Sequence, residues 1–314
     1  MMATITPTTF SDSRAIVDRT DYMETSVFAH VDFTTSAIRI EVDVYNNIYS
    51  LFANDAEIGV RVDGVDYSTL APSADGASTH AVLLPQGSKT VSLVNGLQSK
   101  PTTDVLGTFI TDIRASQAVT QTNLTPSNRI LVYGDSITAG GFATHSSREG
   151  YPCLVRAAAS PNSVAVEAWG YRSLYEDCAN GTLRAAFVSL AAAYAPATIW
   201  LAIGTNDYGL NKWSAASFGT AYAHLLDDLH TALPAATIFC QTPLLRTTET
   251  ANGSGSTLGD YRTQIGTAVS TRTAYATLVD GTAFMTTASM PDGLHPNTAG
   301  HALYGAAVIA ALGL

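Results

Sequence analysis

Residues 129–141 read RILVYGDSITAGG, and this stretch decides the fold of the region that follows it. The apolar run at 130–133 suits a short strand, and it ends at a Gly-Asp-Ser triplet that leads into two glycines. Ser136 therefore follows a strand directly, at a strand-to-helix turn where its hydroxyl can be exposed. This position suits a nucleophile.

Short apolar runs recur downstream, at 164–168, 198–203, 237–241 and 277–280. The intervals between them are long enough to hold helices, and residues 215–233 are one example. This alternation is typical of βαβ units, whose crossovers favour parallel strands with helices on both faces of the sheet. The region is therefore predicted to be a three-layer α/β/α sandwich.

Upstream of this region, the sequence alternates with a period of two, which is typical of half-buried strands. The alternating apolar residues are Ile38, Ile40, Val42 and Val44 in one segment, and Ile58, Val60 and Val62 in another. The second segment runs into Asp63-Gly64, a dipeptide suited to a tight hairpin. A further turn cluster, PQGS, lies at 85–88. The N-terminal region is predicted to be a small antiparallel β-sandwich, similar to a jelly roll.

Residues 116–128, SQAVTQTNLTPSN, are polar, contain a proline and show no apolar periodicity. Such composition is typical of a connection between domains. We expect an accessory domain at residues 1–125 and a second domain at residues 126–314.

Charge and composition limit the classes of partner. The chain has 314 residues with 26 acidic and 16 basic side chains, a net charge of -10 that disfavours nucleic acid. The cysteines, Cys153, Cys178 and Cys240, lack CxxC spacing and are expected to be buried apolar residues. The opening residues MMATITPTTFSDSR lack the basic start and apolar run of a signal peptide, and no apolar run approaches the roughly 18 residues of a membrane span. We expect no membrane partner and, by default, a cytoplasmic location.

Two further strand ends carry polar residues at the edge where open α/β sheets bind ligands. The run at 198–203 leads into GTNDYG, which places Asn206, a neutral side-chain donor, at that edge. Near the C-terminus, PDGLHPN places Asp292 three residues before His295. On a turn, this spacing lets the carboxylate fix the imidazole tautomer while the other ring nitrogen faces a nucleophile.

Each of these motifs also has a purely structural interpretation. Gly-Asp-Ser is common in ordinary turns, and Gly-x-Asn-Asp is common in loops and at helix N-caps. The pair Asp292 and His295 could cap the last helix or form half of a metal site, although no third ligand lies nearby in sequence. All three motifs occur in order within one α/β domain, and this combination favours a catalytic site.

The chain from about residue 129 to residue 314 resembles the SGNH, or GDSL-like, hydrolase superfamily. The matching blocks are GDSI at 134–137, GTND at 204–207 and DGLH at 292–295. The sequence around Ser136 lacks the G-x-S-x-G pattern of the ordinary α/β-hydrolase nucleophile elbow.

The resemblance implies a role for each motif residue. Ser136 would be the nucleophile, His295 the general base and then acid, and Asp292 the residue that orients His295. The oxyanion hole would consist of the Asn206 side chain and the backbone N–H groups of Ser136 and Gly170. The family chemistry requires neither a metal nor an organic cofactor.

Gly170 is assigned to the second family block because it follows the strand at 164–168 in VEAWGYRS. Family members often carry a further glycine shortly afterwards, whereas here the residues at 171–173 are Tyr-Arg-Ser. An ordinary turn glycine is the alternative interpretation.

Several residues near the predicted site are candidates for binding a sugar. They are Trp169, Tyr171, Arg172 and Tyr208, with Tyr175 and Trp213 nearby. Aromatic residues beside strand ends belong to the core or its rim at least as often. His145 is expected to be a surface histidine rather than a third catalytic group.

The β-sandwich ahead of an SGNH domain is similar to the arrangement in two-domain carbohydrate esterases that remove acetyl groups from polysaccharides. This likeness implies an esterase acting on an oligosaccharide or small-molecule ester, with an O-acetylated carbohydrate as the expected substrate. The alternatives are a general short-chain esterase or lysophospholipase-like lipase, and an inactive glycan-binding protein. Fold analogy alone does not decide among them.

Overall fold

The computed structural model describes residues 3–5, 30–46, 57–95, 108–117, 119–121, 128–159, 164–168, 170–175, 183–211 and 213–314. Of these described residues, those up to 121 include the strands of two antiparallel sheets, and those from 130 onward include a parallel sheet with helices. Cys153 and Cys240 are buried and unpaired, whereas Cys178 lies outside the described residues. In the described part of the chain, no helix has the length and apolar character needed to span a bilayer.

The N-terminal region packs two antiparallel sheets face to face, with strand orders β1-β8-β3-β6 and β5-β4-β7-β2-β9. The strands are β1 Ala3–Ile5, β2 His30–Thr35, β3 Arg39–Asn46, β4 Ile58–Val62, β5 Val65–Leu70, β6 Gly76–Leu83, β7 Lys89–Asn95, β8 Thr108–Ala115 and β9 Val119–Gln121. Alternate side chains of β3 and of β4 and β7 fill one core between the sheets, because a strand points successive side chains to opposite faces. The predicted antiparallel β-sandwich is confirmed.

The predicted hairpin at Asp63-Gly64 is present, with φ angles of 50° and 81° at these two residues. Positive φ at both central positions matches the twist of the flanking strands, and glycine adopts it without steric cost. The predicted strand at 37–45 begins at Arg39 instead, and Ile38 is 57% exposed just before it.

Three residues of the segment 116–128 form a strand that its composition did not predict. Residues Val119–Gln121 form β9 and pair with Phe33–Thr35 of β2, so this part of the segment completes a sheet. The prediction missed β9 because a three-residue edge strand carries too few apolar positions to show a period. The predicted boundary between residues 125 and 126 lies outside the described residues.

The C-terminal region is built on a parallel sheet of strand order β11-β10-β12-β13-β14. The strands are β10 Ile130–Gly134, β11 Val164–Ala168, β12 Thr198–Ala202, β13 Thr237–Gln241 and β14 Ala276–Val279. Gly134 at the end of β10 is level with Ala168 of β11 and Ala202 of β12. The segments that follow these three strands therefore leave the sheet at the same edge.

Helices cover both faces of this sheet. They are α1 Ser146–Glu149, α2 Tyr151–Ala158, α3 Leu183–Tyr194, α4 Thr205–Gly209, α5 Ala215–Ala232, α6 Leu258–Ser270 and α7 Thr298–Leu312. One core joins α3, α5 and α6 to one face, and a second joins α2 and α7 to the other. Alternate residues of β10 divide between the two cores, with Leu131 in the first and Val132 in the second. The three-layer α/β/α architecture is confirmed.

Candidate active site

Ser136, His295 and Asp292 lie in a continuous hydrogen-bonded line at the carboxyl edge of the parallel sheet. The distance from Ser136 Oγ to His295 Nε2 is 2.8 Å, and that from His295 Nδ1 to Asp292 Oδ2 is 2.7 Å. When Nδ1–H donates to the carboxylate, Nε2 is left as the acceptor for the serine proton. Ser136 follows β10, whereas the other two residues precede α7, so the fold joins positions 159 residues apart.

The turn at 292–295 explains why the Asp-x-x-His spacing works. Asp292 Oδ1 accepts the backbone N–H groups of Leu294 at 2.9 Å and His295 at 2.7 Å, which leaves Oδ2 for the imidazole. Gly293 has a φ of 77°, and a Cβ there would lie 2.1 Å from Thr247 Oγ1, so the turn requires glycine. Burial alone raises the pKa of Asp292, but the ring and backbone hydrogen bonds from His295 and Leu294 outweigh it and lower that pKa below its ordinary value. Asp292 is therefore held as the carboxylate.

Asn206 lies in the first turn of α4, directly after β12. Its side chain is buried, and Nδ2 donates one hydrogen to the Arg172 carbonyl at 3.0 Å. An amide nitrogen carries two hydrogens, so the second remains for another acceptor. The contact also links α4 to the segment that follows β11.

Asp207 is a functional candidate to which the sequence reasoning gave no role. Its carboxylate is fully buried and accepts the backbone N–H groups of Leu174 at 3.0 Å and Tyr175 at 2.8 Å. It also accepts Trp213 Nε1–H at 3.0 Å. Asp207 thus holds the segment at 170–175, which carries the proposed oxyanion glycine. Its position directly after Asn206 in the GTND block is the sequence feature that could have identified it.

Gly170 and Tyr171 form the turn that follows β11. Tyr171 takes a φ of 62°, a conformation that glycine adopts easily. The Tyr171 side chain is 72% exposed. A Cβ at Gly170 would meet no protein atom within 4 Å, so this glycine borders open space rather than a packed neighbour.

Two of the predicted sugar-binding residues lie inside the domain. Arg172 is 1% exposed, with Nη1 bonded to the Glu167 carbonyl at 3.1 Å and its guanidinium 3.9 Å from the centroid of the Tyr133 ring. Tyr208 is 6% exposed, and its hydroxyl donates to the Thr250 carbonyl at 2.8 Å. We therefore correct the expectation for both residues, because side chains buried in this way support the site from within.

The other residues predicted as candidates for binding a sugar lie in different environments. Trp169 lies outside the described residues. Trp213 and Tyr175 are partly buried and pack edge to face with ring centroids 5.4 Å apart. Tyr171 is thus the exposed member of the set that the structure describes.

The loop after Ser136, residues 140–149, contacts the N-terminal sandwich. His145 is partly exposed, and its Nδ1 lies 2.9 Å from Oε2 of Glu57, a nearly buried residue of the sandwich. Helix α1, which follows at once, lies against β4 and β7. His145 is therefore a contact between the regions, which its sequence position alone did not indicate.

Two buried titratable groups support the turn at Ser136. Burial raises the pKa of Asp135 to about 6, although the Ile137 N–H, which donates to Oδ1 at 3.0 Å, offsets part of this effect. Burial lowers the pKa of His301 to about 4. His301 is consequently neutral, with Nε2–H donating to the Gly141 carbonyl at 3.0 Å and Nδ1 facing the Tyr151 N–H at 3.4 Å.

These two shifts act on stability in opposite directions. Between about pH 4 and 6, folded Asp135 keeps a proton that the unfolded chain has lost, so its contribution to stability falls as the pH rises. Unfolded His301 binds a proton near its ordinary pKa of 6.5, whereas the folded form does so only near 4. Its contribution therefore falls as the pH falls through the same interval.

The described residues contain no group of three or more His, Cys, Asp or Glu side chains placed to hold a metal ion. Asp292 and His295, the pair considered as half of a metal site, bond to each other, and His295 bonds to Ser136.

Comparison with known proteins identifies the family of this chain. The GDSL-like Lipase/Acylhydrolase family matches residues 132–303, more than half of the chain. A search of curated proteins finds no match.

Several solved structures share the fold over most of the chain. A carbohydrate esterase family 2 enzyme with a carbohydrate binding domain, from Corynascus thermopiles (Myceliophthora fergusii), has 20% identity and a TM-score of 0.69, covering 94% of this chain and 98% of that one. The acetyl xylan esterase Est2A from Butyrivibrio proteoclasticus has 14% identity and a TM-score of 0.66, covering 90% and 88%. The salicylyl-acyltransferase SsfX3 from a tetracycline biosynthetic pathway has 20% identity and a TM-score of 0.72, covering 91% and 82%.

At these identities the structural likeness shows the fold, and the family follows from the sequence match together with its motif blocks. The chain belongs to the GDSL-like lipase/acylhydrolase family and is a carboxylic ester hydrolase.

Proposed function

We propose that this protein removes O-acetyl groups from carbohydrates through an acyl-enzyme on Ser136. The observation that carries the proposal is the line from Ser136 Oγ through the His295 ring to Asp292, with both distances under 3 Å. A serine hydroxyl becomes an effective nucleophile only when such a base accepts its proton.

The reaction would proceed in two steps. Ser136 Oγ attacks the ester carbonyl carbon as its proton passes to His295 Nε2, and the carbonyl oxygen becomes an oxyanion near the second Asn206 amide hydrogen and the Ser136 and Gly170 N–H groups. The intermediate collapses when His295 gives the proton to the departing alcohol. Water, activated by the same imidazole, then attacks the acyl-enzyme and releases the carboxylic acid.

Three features support a carbohydrate as the alcohol. A carbohydrate esterase with a carbohydrate binding domain shares the fold over 94% of this chain, and an acetyl xylan esterase shares it over 90%. In this protein the sandwich reaches the active-site loop through Glu57 and His145, 2.9 Å apart. Tyr171 exposes an aromatic ring next to Gly170, and such rings offer a flat apolar surface to a sugar.

Acetate release tests the proposal. Acetylated xylo-oligosaccharides are incubated with the protein and with Ser136→Ala, and acetate is measured alongside an acyl-length series of one alcohol. We expect release by the wild type and a loss on the order of a million-fold in the variant. Preference for long acyl chains would assign a lipase instead. Turnover that persists in Ser136→Ala would overturn the mechanism.

A further inference from the structure

Phe142 is an exposed aromatic residue in direct contact with the candidate triad. Its ring is parallel to the His295 imidazole, with an interplanar angle of 0° and centroids 5.0 Å apart. The residue is 56% exposed and has a φ of 68°. A phenylalanine adopts this left-handed conformation only at a cost, and residues held in such conformations are concentrated at functional sites. Core packing does not explain a residue whose backbone is strained and whose exposed ring is stacked on the histidine.

The loop fixes this ring in position. The Gly141 N–H donates to the Ser136 carbonyl at 2.9 Å, and the Gly141 carbonyl accepts from His301 at 3.0 Å. On the other side of Phe142, the Thr144 N–H donates to Thr298 Oγ1 at 2.9 Å. Contacts to α7 and to the turn at Ser136 therefore fix the backbone on both sides of Phe142.

The chemistry of the site determines which half of an ester meets this ring. His295 Nε2 must give its proton to the departing alcohol, so the alcohol oxygen must come within about 2.6–3.2 Å of Nε2. The carbonyl oxygen points instead toward Asn206. The alcohol half therefore lies beside His295, and an alcohol as large as a sugar ring extends to Phe142.

We propose that Phe142 is a specificity-determining residue that forms the platform for the alcohol half of the ester. One face of its ring contacts His295, and the remaining surface can cover the apolar face of a pyranose or another six-membered ring. A two-carbon alcohol is too short to gain from it. The inference rests on the proposed function, because it takes the ester chemistry and the role of His295 from it.

The test compares three acetate esters with the same acyl group: monoacetylated xylobiose, cyclohexyl acetate and ethyl acetate. The variants are Phe142→Ala, Phe142→Leu and Phe142→Tyr, with Tyr67→Ala as control because Tyr67 is 45% exposed on β5 of the sandwich. We expect Phe142→Ala and Phe142→Leu to lower kcat/KM for the two ring alcohols about tenfold, mainly through KM. Phe142→Tyr should retain the wild-type kcat/KM for these two esters. The kcat/KM for ethyl acetate should change by less than about twofold in all three Phe142 variants.

The outcomes separate this inference from the proposed function. Equal losses on all three esters would overturn it, since the ring would then act only by orienting His295. Unchanged kinetics in Phe142→Ala would overturn it as well. If wild type cleaves cyclohexyl acetate but not acetylated xylobiose, the carbohydrate assignment fails, and the cyclohexyl and ethyl esters still decide the role of Phe142.

Discussion

Asp207→Asn tests whether the segment at 170–175 is held in place by one buried carboxylate. The substitution keeps the shape of the side chain but replaces one oxygen with an NH2 group. Because Asp207 Oδ1 accepts both Tyr175 N–H and Trp213 Nε1–H, the amide oxygen should keep these bonds, and the NH2 group would face the Leu174 N–H. A hydrogen bond to a charged group contributes about 1.5–3 kcal/mol, so losing one and weakening two should cost about 3 kcal/mol.

Activity should fall further than stability alone explains. The same segment carries Gly170 and the Arg172 carbonyl that holds the Asn206 amide, so a shift of about 1 Å should lower kcat about 100-fold. Urea unfolding and steady-state kinetics measure the two effects. Asp228→Asn is the control, because that carboxylate is 44% exposed, pairs with Arg184 at 3.0 Å, and should cost less than about 1 kcal/mol. An unchanged kcat in a folded but destabilised Asp207→Asn would refute the reasoning.

Three other predictions concern the oxyanion donor, the buried titratable pair and the contact between the two regions. Asn206→Ala should lower kcat by about 100- to 1,000-fold with little change in KM, as steady-state kinetics would show; a change confined to KM would make it a binding residue. Asp135→Asn should remove the pH-dependent contribution of Asp135 to stability and leave the opposite one of His301. The free energy of unfolding should then rise by about 2 kcal/mol from pH 4 to 6 in urea titrations; a flat profile would contradict this. Glu57→Gln should lower kcat/KM about fivefold, equivalent to about 1 kcal/mol, by loosening the His145 contact; unchanged kinetics would leave that contact with a purely structural role.

The sheet and the places of the candidate site residues were predictable from patterns in the sequence. Buried parallel strands must be apolar over several consecutive residues, so β10–β13 are visible as runs in the sequence. Because parallel strands end at one edge, Ser136 and Asn206 could be expected there without coordinates. Asp292 and His295 lie three residues apart, and on a turn this spacing allows the hydrogen bond that the structure contains.

The other site residues depend on tertiary contacts that leave no local pattern. An arginine is usually a surface cation, yet Glu167 and the Tyr133 ring hold Arg172 in the core. Phe142 reads as an ordinary loop residue, because its stacking on His295 joins two segments remote in sequence. The contact of Glu57 with His145 requires knowing how the sandwich meets the loop after Ser136.

The central claim is that an acyl-enzyme forms on Ser136, and rapid-quench mass spectrometry of the protein mixed with an activated acetate ester tests it most directly. We predict one added acetyl group on the wild-type protein, mapped to the peptide that contains Ser136 and absent from Ser136→Ala. His295→Ala should form it far more slowly, since the serine would then lack its base. Acetylation at another residue with equal turnover, or hydrolysis by Ser136→Ala at the wild-type rate, would contradict the account.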